Sequence, residues 1–590
     1  MKSLIKTGLL TIVFLLLTLT SLSAGSWSFS GGYMFFDNSN TKWEDNSIML
    51  IIGKSNWSGV YEMTPSDEPD LWYCALPSSG WSDAEYMAVI GGGTVWSKGE
   101  WGPSNLTNAT HYSAAYTAGL NASTGQGFLF TPQSTENGCT IKLTYRGEGF
   151  SGKTFATADK NNCYAIDTEQ QQITFIFSTS DKRFNINRSD IRKVYVYGSI
   201  SAWEDADEDF RLNGNSDDGC LYRTFPLSIL ERVGNSGQPE FLFHVLKTDG
   251  SDYTAKSSAS WTGGIDYRLL FANSGGENMV VALPGDDLDE IHARSVQAQN
   301  VRPLAKWNLD DEDEQKRIAN FRQVPATQHL YRSYHPFDPS RPQHDTEPQR
   351  LFWVAQNAQK TGILSDIALS GDMTSNAGKT YTCAGKQYTI TIPDYYQSII
   401  ANNNVLYVGT VNGHVPSYKD AIFFSDGERF GQWIQEIVAF IIDDNHPAPF
   451  QIHCALGSDR TGAFCAVLAA LCGADYQQIA ADYEATSNMH VNEYRHRNCI
   501  RFCLKRITGS DPETDPDFNQ AVADHFISHG YLTSEQIQQL KAKLTKGTTT
   551  DLQSGEHQTS DIDHRKFLIN GQILIVHNKT SYNLLGEKID

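Results

Sequence analysis

The sequence has little positive charge for its length. Its 590 residues contain 47 Lys and Arg against 68 Asp and Glu, so the formal net charge is −21 at pH 7. A chain with this charge repels nucleic acid and anionic lipid surfaces. Both are therefore excluded as general partners, and an acidic chain that acts on an acidic substrate has to concentrate its positive charge locally.

The sequence also lacks zinc-site spacings, and it lacks long apolar runs beyond its first residues. The ten cysteines form no Cys-x-x-Cys pair and have no histidine at a zinc-binding distance. We therefore predict no metal and no other cofactor. Outside residues 1–24, no stretch approaches the run of about eighteen apolar residues that spans a bilayer, so we expect no membrane span in the mature chain.

Residues 1–24 have the order of a secretory signal peptide. Two lysines precede an apolar run from Leu9 to Leu22, and small residues follow at once. An uncleaved membrane anchor is the alternative, because the run is long enough to span a bilayer. No basic stop-transfer cluster follows the run, which favours cleavage and a secreted, periplasmic or cell-surface protein.

The first half of the chain predicts antiparallel β-sandwich modules at residues 25–150 and 160–286. Short apolar runs there are separated by Gly, Asn, Ser and Asp clusters at hairpin distances. Seven of the twelve tryptophans fall in the first module. Aromatic residues in such a setting resemble the binding face of carbohydrate-binding modules, which implies a glycan partner; a plain scaffold is the equal alternative.

The composition changes after an acidic linker at 285–290. Apolar residues recur at helical spacing over Phe430–Ile442, and Pro447 and Pro449 end that helix before an apolar strand starts. Strand, helix, strand, loop and helix is the order of an α/β domain, which we place at 300–510. The cysteines in its apolar helical segments are expected to be buried small hydrophobic residues; these are Cys465, Cys472, Cys499 and Cys503.

The C-terminal residues predict three further segments. Residues 511–545 have the pattern of a helical extension, and 546–562 have the composition of a linker. In 563–590, Asn570-Gly571 stands between two apolar runs, which indicates a β-hairpin. This tail resembles the sorting tails of bacterial proteins exported by the type IX route; an accessory hairpin that packs on the catalytic domain is the alternative.

The stretch from Phe450 to Gly462 predicts an anion-binding loop. A strand that feeds a loop and then a helix leaves backbone N–H groups unpaired, and the helix dipole adds partial positive charge to them. Cys454 begins the loop and Arg460 ends it, so a thiol and a guanidinium face the same oxyanion. That combination suits hydrolysis of a phosphate monoester through a cysteinyl-phosphate.

Each residue of this loop has a predicted role. Cys454 is the nucleophile, Arg460 holds two phosphate oxygens, and Thr461 donates a hydrogen bond to the thiolate. His453 and Gly462 orient the loop, and both Gly457 and Gly462 let the backbone approach phosphate closely. The residues predicted to bind phosphate are Ala455, Leu456, Gly457, Ser458, Asp459 and Arg460.

The pattern His-Cys, five residues, then Arg-Thr-Gly resembles the signature of the cysteine-dependent protein tyrosine phosphatase superfamily. The fuller form His453-Cys-x-x-Gly-x-Asp-Arg-Thr-Gly462 is similar to the bacterial, atypical dual-specificity branch. The segments Leu330-Tyr-Arg-Ser333 and Ile479-Ala-Ala-Asp-Tyr-Glu484 also resemble that branch, so the resemblance covers about residues 300–507. It implies an α/β phosphatase fold and a phosphorylated substrate.

Phosphate ester cleavage also needs an acid that protonates the leaving oxygen, and three aspartates compete for this role. The resemblance implies Asp459, which we favour. Asp420 comes second, because it lies 34 residues before Cys454, as in the mobile acid loop of classical tyrosine phosphatases, although Tyr418-Lys-Asp420 lacks that loop's Trp-Pro-Asp. Asp426 is more typical of a helix cap.

Ser458 departs from the family pattern, since many atypical members and the phosphoinositide phosphatases have Lys there. Losing that cation weakens the case for highly charged inositol headgroups. Four other arginines are candidates to restore positive charge around the mouth of the site, with a surface role as the commoner alternative for each; they are Arg332, Arg495, Arg497 and Arg501.

These features together predict an exported, multidomain phosphatase that acts on a phosphorylated protein or a small phosphate ester, with phosphotyrosine or dual specificity favoured. One alternative is a glycan-binding or adhesion protein whose phosphatase domain is weak or vestigial. Another is a phosphatase for inositol phosphates or phosphoinositides.

Overall fold

The structure is a computed structural model that describes residues 154–545, with short gaps at 179–183, 185, 187–189, 217–218, 256–265, 274–275 and 411–412. It also describes short segments before and after that range. Residues 1–24, with the predicted signal peptide, and the predicted linker 546–562 lie outside the described residues. The chain divides into two compact units, Met1–Thr545 and Lys546–Asp590.

The described strands of the first β region are β1 (Trp27–Phe29), β2 (Tyr33–Asp37), β3 (Ile48–Lys54), β4 (Trp57–Pro65), β5 (Leu71–Ala75), β6 (Trp81–Ala84), β7 (Tyr86–Gly91), β8 (His111–Tyr116), β9 (Phe128–Phe130) and β10 (Ile141–Arg146). Strands β1 and β6 pair with each other. The others form a sheet in the order β8-β7-β3-β4-β5-β2-β10-β9, and its pairs are antiparallel. This confirms the predicted antiparallel β-structure.

Trp43 and Trp72 are the tryptophans of this region whose side chains the structure describes. Trp43 is buried against Phe36, with ring centroids 5.2 Å apart, and Trp72 packs against the same core. Both rings therefore contribute to the hydrophobic core and not to an exposed aromatic surface. The other five tryptophan side chains lie outside the described residues.

The second β region begins with α1 (Thr157–Asn162) and ends at α2 (Leu288–Ala298). Its strands are β11 (Tyr164–Asp167), β12 (Gln172–Ser178), β13 (Ile191–Gly198), β14 (Gly214–Asn215), β15 (Cys220–Pro226), β16 (Glu240–Lys247), β17 (Asp252–Ala255), β18 (Leu270–Asn273) and β19 (Gly276–Val280). They form one antiparallel sheet in the order β11-β12-β15-β14 and a second in the order β13-β16-β19-β18, with β17 also paired to β16.

Aromatic side chains join these two sheets. Phe175 and Phe177 alternate along β12 and meet Phe241 and Phe243 of β16, with ring centroids 4.9 and 5.2 Å apart. All four side chains are fully buried. Edge-to-face contacts between such rings stabilise a core beyond the burial of their area, so the two sheets pack face to face.

The α/β region contains a central sheet and its covering helices. The elements before the strand that leads into the predicted anion-binding loop are α3 (Glu312–Ile318), β20 (Arg322–Gln323), β21 (Leu330–Ser333), α4 (Glu347–Thr361), β22 (Ser365–Ala368), β23 (Thr380–Cys383), β24 (Lys386–Thr389), α5 (Asp394–Ala401), β25 (Val405–Tyr407), α6 (Tyr418–Ile422) and α7 (Glu428–Ile442). The remaining elements are β26 (Phe450–His453), α8 (Asp459–Cys472), α9 (Tyr476–Ala485), α10 (Arg497–Thr508), α11 (Phe518–Ser528) and α12 (Ser534–Thr545).

The sheet has the order β20-β21-β26-β22-β25, and β26 lies at its centre. Strands β21, β26, β22 and β25 are parallel, while β20 pairs antiparallel with β21. The carboxyl ends of parallel strands meet at one edge of a sheet, where α/β proteins bind their ligands. The segments that follow β22, β25 and β26 therefore converge at that edge.

Helix α8, which follows the predicted anion-binding loop, is surrounded by other elements. Every residue from Thr461 to Cys472 is buried, and α6, α9, α10, α11 and α12 all pack against it. A helix that is apolar on all sides belongs inside a core. The expected burial of Cys465, Cys472, Cys499 and Cys503 is confirmed.

The unit Lys546–Asp590 contains the strands β27 (His564–Ile569), β28 (Gln572–His577), β29 (Thr580–Tyr582) and β30 (Lys588–Ile589). The first two strands pair antiparallel from His564↔His577 to Ile569↔Gln572. This confirms the predicted hairpin, whereas its function as a sorting tail stays a prediction. In the part of the chain that the structure describes, no helix combines the length and the apolar content that crossing a bilayer requires.

Candidate active site

The predicted loop lies at the carboxyl edge of the sheet. Strand β26 ends at His453, residues 454–458 form the turn that we call the active-site loop, and α8 begins at Asp459. Cys454, at the start of the loop, is 3% exposed. The N-terminus of α8 is directed at this loop, so its unpaired amides and dipole favour an anion there.

The carbonyl groups of the loop are all bonded from outside it. The amide of His335 donates to the Ala455 oxygen at 3.2 Å. The side-chain amide of Asn320 donates to the Leu456 and Gly457 oxygens at 3.0 and 3.1 Å. Because C=O and the next N–H point in opposite directions across a trans peptide, these bonds direct the following amides to the inside of the loop.

Arg332 also bonds two carbonyl groups of the loop from outside it. Its side chain is fully buried, and its Nη2 donates to the carbonyl oxygens of Gly457 at 2.6 Å and Ser458 at 3.2 Å. No hydrogen bond in the described part of the chain occupies the inward amides of 456–459. The loop that begins at Cys454 therefore presents unpaired N–H groups on its inner side.

Arg332 and Arg322 are held in place by one buried carboxylate. Arg322 Nε donates to Asp482 Oδ1 at 2.6 Å, and Arg332 Nη1 donates to Asp482 Oδ2. Burial alone would raise the pKa of Asp482, but the two guanidinium groups outweigh it and lower this pKa. The expectation that Arg332 adds charge to the mouth of the site is wrong, because this side chain lies beneath the loop.

Cys454 is activated by its neighbours. Burial disfavours the thiolate, but the positive charge of Arg460, followed by the polar groups of Thr461, outweighs that effect and lowers the pKa of Cys454. Thr461 Oγ1 has no hydrogen-bond partner among the described residues, so its donation to the thiolate stays a prediction. A thiolate is the nucleophilic form of cysteine. The loop thus favours the reactive form of this side chain.

Arg460 is held by backbone and not by a carboxylate. Its Nη1 donates to the Leu369 oxygen at 3.1 Å, just after β22, and to the Pro416 oxygen at 3.3 Å, just before α6. Within the described residues, no Asp or Glu forms an ion pair with Arg460. Carbonyl oxygens fix the guanidinium without neutralising it, so its charge remains for a bound anion.

The two glycines of the motif are required by protein contacts. Gly457 has a φ of 68°, and a Cβ there would lie 2.0 Å from the Ser333 carbonyl oxygen. A Cβ at Gly462 would lie 2.6 Å from the ring of Tyr483. Strand β21 and helix α9 occupy the space of a Cβ at these positions, and the close approach of the backbone to phosphate stays a prediction.

His453 points away from the pocket and binds a buried carboxylate. Its Nε2 lies 3.1 Å from Asp366 Oδ2, and the Tyr396 hydroxyl donates to the same oxygen. Burial would lower the pKa of His453, but the charge of Asp366 outweighs it and raises this pKa. In the sequence, Asp366 stands beside the apolar residues of β22. This was the sign of a buried pair, because carboxylates are seldom fully buried without a partner.

His335 is a second buried histidine beside the loop. Its ring stacks edge-on against His453, with centroids 4.7 Å apart. Its Nδ1 accepts hydrogen bonds from the amides of Phe337 at 3.3 Å and Asp338 at 2.9 Å. Burial and the charges of His453 and Arg460 lower the pKa of His335 well below its usual value, so the ring is neutral.

The three candidate acids have different surroundings. Asp459 accepts from Arg495 Nε at Oδ1 and from Nη2 at Oδ2, both at 2.6 Å. Asp426 is paired with Arg506 through two hydrogen bonds of 2.8 Å, and the N-cap of α7 is Gly427, so Asp426 does not cap that helix.

Asp420 is the candidate without such a clamp. It lies in α6, one turn after Pro416, whose carbonyl contacts Arg460. Its side chain is 25% exposed, accepts from the Ser417 hydroxyl at 2.6 Å and lies 3.9 Å from Arg429. It is therefore accessible and attached to the segment that borders the pocket.

The remaining arginines that were expected at the mouth are also committed to ion pairs. Arg495 is 4% exposed and bridges Asp459 to Glu493. Arg497 pairs with Glu484 at 2.7 Å, and Arg501 pairs with Asp511 and Glu513. That expectation is wrong for these three as well, because each cation already has a carboxylate partner. Ser458 is itself 1% exposed.

Residues 410–546 match the model of the tyrosine phosphatase family. The match supports phosphatase activity for this part of the chain, which we call the phosphatase region, and it spans Asp420, the active-site loop and helices α6 to α12. The supporting residues Arg332, His335 and Leu369 lie before it. A search of curated proteins finds no match to the chain.

The buried ion pair between Arg332 and Asp482 leads to a prediction about stability. Arg332→Met leaves Asp482 short of one partner inside the protein, and breaking a buried pair costs about 3–5 kcal/mol. Arg497→Met is the matched control, because the Arg497–Glu484 pair is 36% and 29% exposed and exposed pairs contribute at most about 1 kcal/mol. Urea unfolding of the full chain measures both, and equal losses would contradict the buried role of Arg332.

The activation of Cys454 leads to a prediction about pH. The rate of alkylation by iodoacetate follows the thiolate, so it should rise with pH and level off with a midpoint below that of an ordinary thiol, about 8.5. Arg460→Met removes the stabilising cation and should move this midpoint to higher pH by about one unit or more. Arg192→Met, at a 59% exposed side chain, should leave it in place. A midpoint unchanged by Arg460→Met would show that this charge does not act on the sulfur.

Proposed function

We propose that the chain is a cysteine-dependent phosphatase that hydrolyses single phosphate monoesters, of which aryl phosphates such as phosphotyrosine are the favoured class. One observation carries the proposal: the active-site loop combines a thiol of lowered pKa, amides that no hydrogen bond of the described residues occupies, and a guanidinium that no described carboxylate neutralises. Thiolate and fixed donors in this arrangement match the needs of phosphoryl transfer.

In the first proposed step, the Cys454 sulfur attacks phosphorus and the bond to the leaving oxygen breaks. The amides of 456–459 and Arg460 bind the three non-bridging oxygens, whose charge they stabilise in the transition state. Because the amides are fixed by Arg332 and Asn320 before substrate arrives, little reorganisation is needed. The leaving oxygen takes a proton from an acid.

In the second step, water attacks the phosphorus of the cysteinyl-phosphate, and the Cys454 thiolate departs. The groups that lower the pKa of Cys454, Arg460 first and then Thr461, also stabilise this leaving thiolate. The residue that donated a proton in the first step is then ionised and takes a proton from the attacking water, as microscopic reversibility requires.

We propose Asp420 as this acid and base, and a positioning role for Asp459. Both oxygens of Asp459 already accept hydrogen bonds from Arg495, so a proton on either oxygen would have to break an ion pair. Asp420 is partly exposed and follows the segment that contacts Arg460. This reverses the order that the family resemblance implies.

Specificity for one phosphate follows from the shortage of unpaired cations. Arg322, Arg332, Arg495, Arg497 and Arg501 each have a carboxylate partner, and Lys419 pairs with Glu204 at 3.0 Å. With Ser458 in the place of a lysine, none of these six cations is left over to pair with a second phosphate. We therefore propose inositol polyphosphates and phosphoinositides as less favoured substrates than aryl phosphates.

Two expectations from the sequence remain proposals beside this function. Export is supported by residues 1–24, and finding Met1 at the N-terminus of the protein from its native cells would contradict cleavage there. A glycan-binding role for the first β region receives no support from Trp43 and Trp72, which are core residues. An array of glycans that retains no protein would remove it.

The first test of the proposed function is burst kinetics. With p-nitrophenyl phosphate, the full chain should release one equivalent of nitrophenol rapidly if hydrolysis of the intermediate is the slower step, and acid quenching should trap a phosphorylated protein. Cys454→Ser should abolish both signals, because a serine hydroxyl is not ionised near neutral pH. Cys472→Ser is the control at another buried thiol of α8. Turnover that survives Cys454→Ser would contradict the mechanism.

The second test separates the two aspartates by leaving group. Phenol has a pKa near that of tyrosine, about 10. Its oxygen therefore depends on a proton from the acid when it leaves, more than the oxygen of nitrophenol does. Asp420→Asn should reduce kcat on phenyl phosphate by about 10²–10⁴-fold and on p-nitrophenyl phosphate by much less. Asp459→Asn should reduce both rates by a similar factor. The opposite pattern would assign the acid to Asp459.

A further inference from the structure

Residues 493–499, which we call the bridge segment, connect the active-site loop with the second β region. This segment joins the end of α9 and its following turn to helix α10. Neighbouring residues of an extended segment direct their side chains to opposite sides. In the bridge segment, one side is the phosphatase region and the other is the β-sandwich.

On the first side, Arg495 holds the start of helix α8. Its two bonds to Asp459 are parallel and both 2.6 Å long, the geometry that fixes a guanidinium against a carboxylate most firmly. Its Nη1 donates to Glu493 at 2.7 Å, and its own amide donates to the Ser487 hydroxyl at 3.0 Å. Asp459 directly precedes Arg460, so Arg495 sets the position of the residue next to the phosphate clamp.

On the second side, Tyr494 is a member of the β-sandwich core. It is 9% exposed, belongs to the same buried cluster as Phe241 and Phe243, and has its ring 6.0 Å from that of Phe271 in β18. Conversely, Ala202 and Val233 of the β region lie in the core of the phosphatase region. The two regions thus share their hydrophobic cores.

The turn at 234–237 of the β region forms the closest contact with the bridge segment. The Asn498 side chain donates to the Gly237 oxygen at 3.0 Å, and the Cys499 thiol donates to the Gly234 oxygen at 2.7 Å. Gly237 has a φ of 81°, and a Cβ there would lie 2.2 Å from Nδ1 of His496. Only glycine fits this contact.

A buried carboxylate of the β region adds an electrostatic link. Glu240 is fully buried and accepts from Ser236 and from Asn278. Burial raises the pKa of Glu240, while hydrogen bonds and the charge of Arg495 oppose that rise. The charge of Glu240 also acts on Tyr418 of α6, whose pKa is raised by burial first and then by charges that include that of Asp459.

We propose that the second β region is a positioning part of the active site: through Gly237 and Tyr494 it places Arg495, which holds Asp459 and the start of helix α8. Gly237, Tyr494 and Arg495 are positioning residues that contact no substrate. The inference rests on the proposed function for its effect on turnover, but its effect on the Cys454 thiolate does not depend on that function.

Gly237→Ala in the full chain tests the proposal. The added methyl group displaces His496 and, with it, the neighbouring Arg495. We expect kcat/KM for p-nitrophenyl phosphate to fall by about 10–100-fold, which is the range for small misplacements of a catalytic group. Gly250→Ala is the matched control, because Gly250 has a φ of 86° in the same β region and no atom lies within 4 Å of its added Cβ. It carries the same backbone strain without the contact, so its activity should equal that of the wild-type chain.

The alkylation profile of Cys454 supplies a readout that simple destabilisation would not change. Asp459 raises the pKa of Cys454 by its charge, and Arg495 offsets that charge only while the pair is intact. Gly237→Ala should therefore shift the alkylation midpoint upward, and Gly250→Ala should not. The other charged or titratable groups that act on this sulfur or are acted on by it are unchanged in both variants; they are Arg460, His453, Arg332 and Cys465.

The outcomes separate the two proposals. A wild-type chain that hydrolyses no aryl phosphate would overturn the proposed function, while an upward shift in Gly237→Ala alone would still support positioning. Equal profiles and equal kcat/KM in both glycine variants would overturn positioning. If Gly237→Ala yields no folded protein, Tyr494→Leu takes its place, since it keeps an apolar side chain in the β core but removes the ring against Phe271. Its alkylation midpoint and kcat/KM then support or overturn positioning in the same way.

Discussion

The buried guanidinium of Arg332 is the constraint on which the rest of the site depends. It bonds the carbonyl oxygens of Gly457 and Ser458, and planar peptide groups then turn the next amides inward. A positive charge inside a protein is tolerated only with a partner, and Asp482 supplies it. The orientation of the loop amides is thus determined by an ion pair on the opposite face of the loop.

The distribution of charge explains how an acidic chain can bind an acidic ligand. With a net charge of −21, the protein repels anions at long range. Its buried arginines are neutralised one by one by carboxylates, whereas Arg460 is fixed by the carbonyl groups of Leu369 and Pro416. Beside the active-site loop, Arg460 and the N-terminus of α8 therefore remain to attract an anion, which is enough for one phosphate group.

The second β region and the phosphatase region are mechanically connected. Tyr494 lies in the β core and Ala202 lies in the phosphatase core, and close-packed interiors transmit displacements because they have few voids to absorb them. A change in the turn at 234–237 therefore reaches Asp459 through a short chain of contacts. This differs from a spacer, which would be joined to the enzyme through a linker only.

Local patterns predicted much of this molecule because their physical causes are local. The helical spacing from Phe430 to Ile442 predicted a helix, and α7 spans Glu428–Ile442. Short apolar runs separated by turn residues predicted the antiparallel strands of the first half. The cysteine, the arginine and the glycines of the loop predicted an anion-binding site through their residue types. Strand, loop and helix around Cys454 lie within one short stretch of chain, so neighbouring residues alone define them.

The functions of the arginines could not be predicted in this way. Arg332 and Asp482 lie 150 positions apart in the chain, and Arg495 and Asp459 lie 36 positions apart. A sequence shows that a charged residue exists but not which carboxylate it will meet, because that depends on how helices pack against a sheet. The sequence by itself determined the strand, loop and helix that bring Cys454 and Arg460 together. Only the tertiary structure decided which cations are neutralised and that Asp459 is bound by Arg495, since ion pairs form between surfaces that meet only on folding.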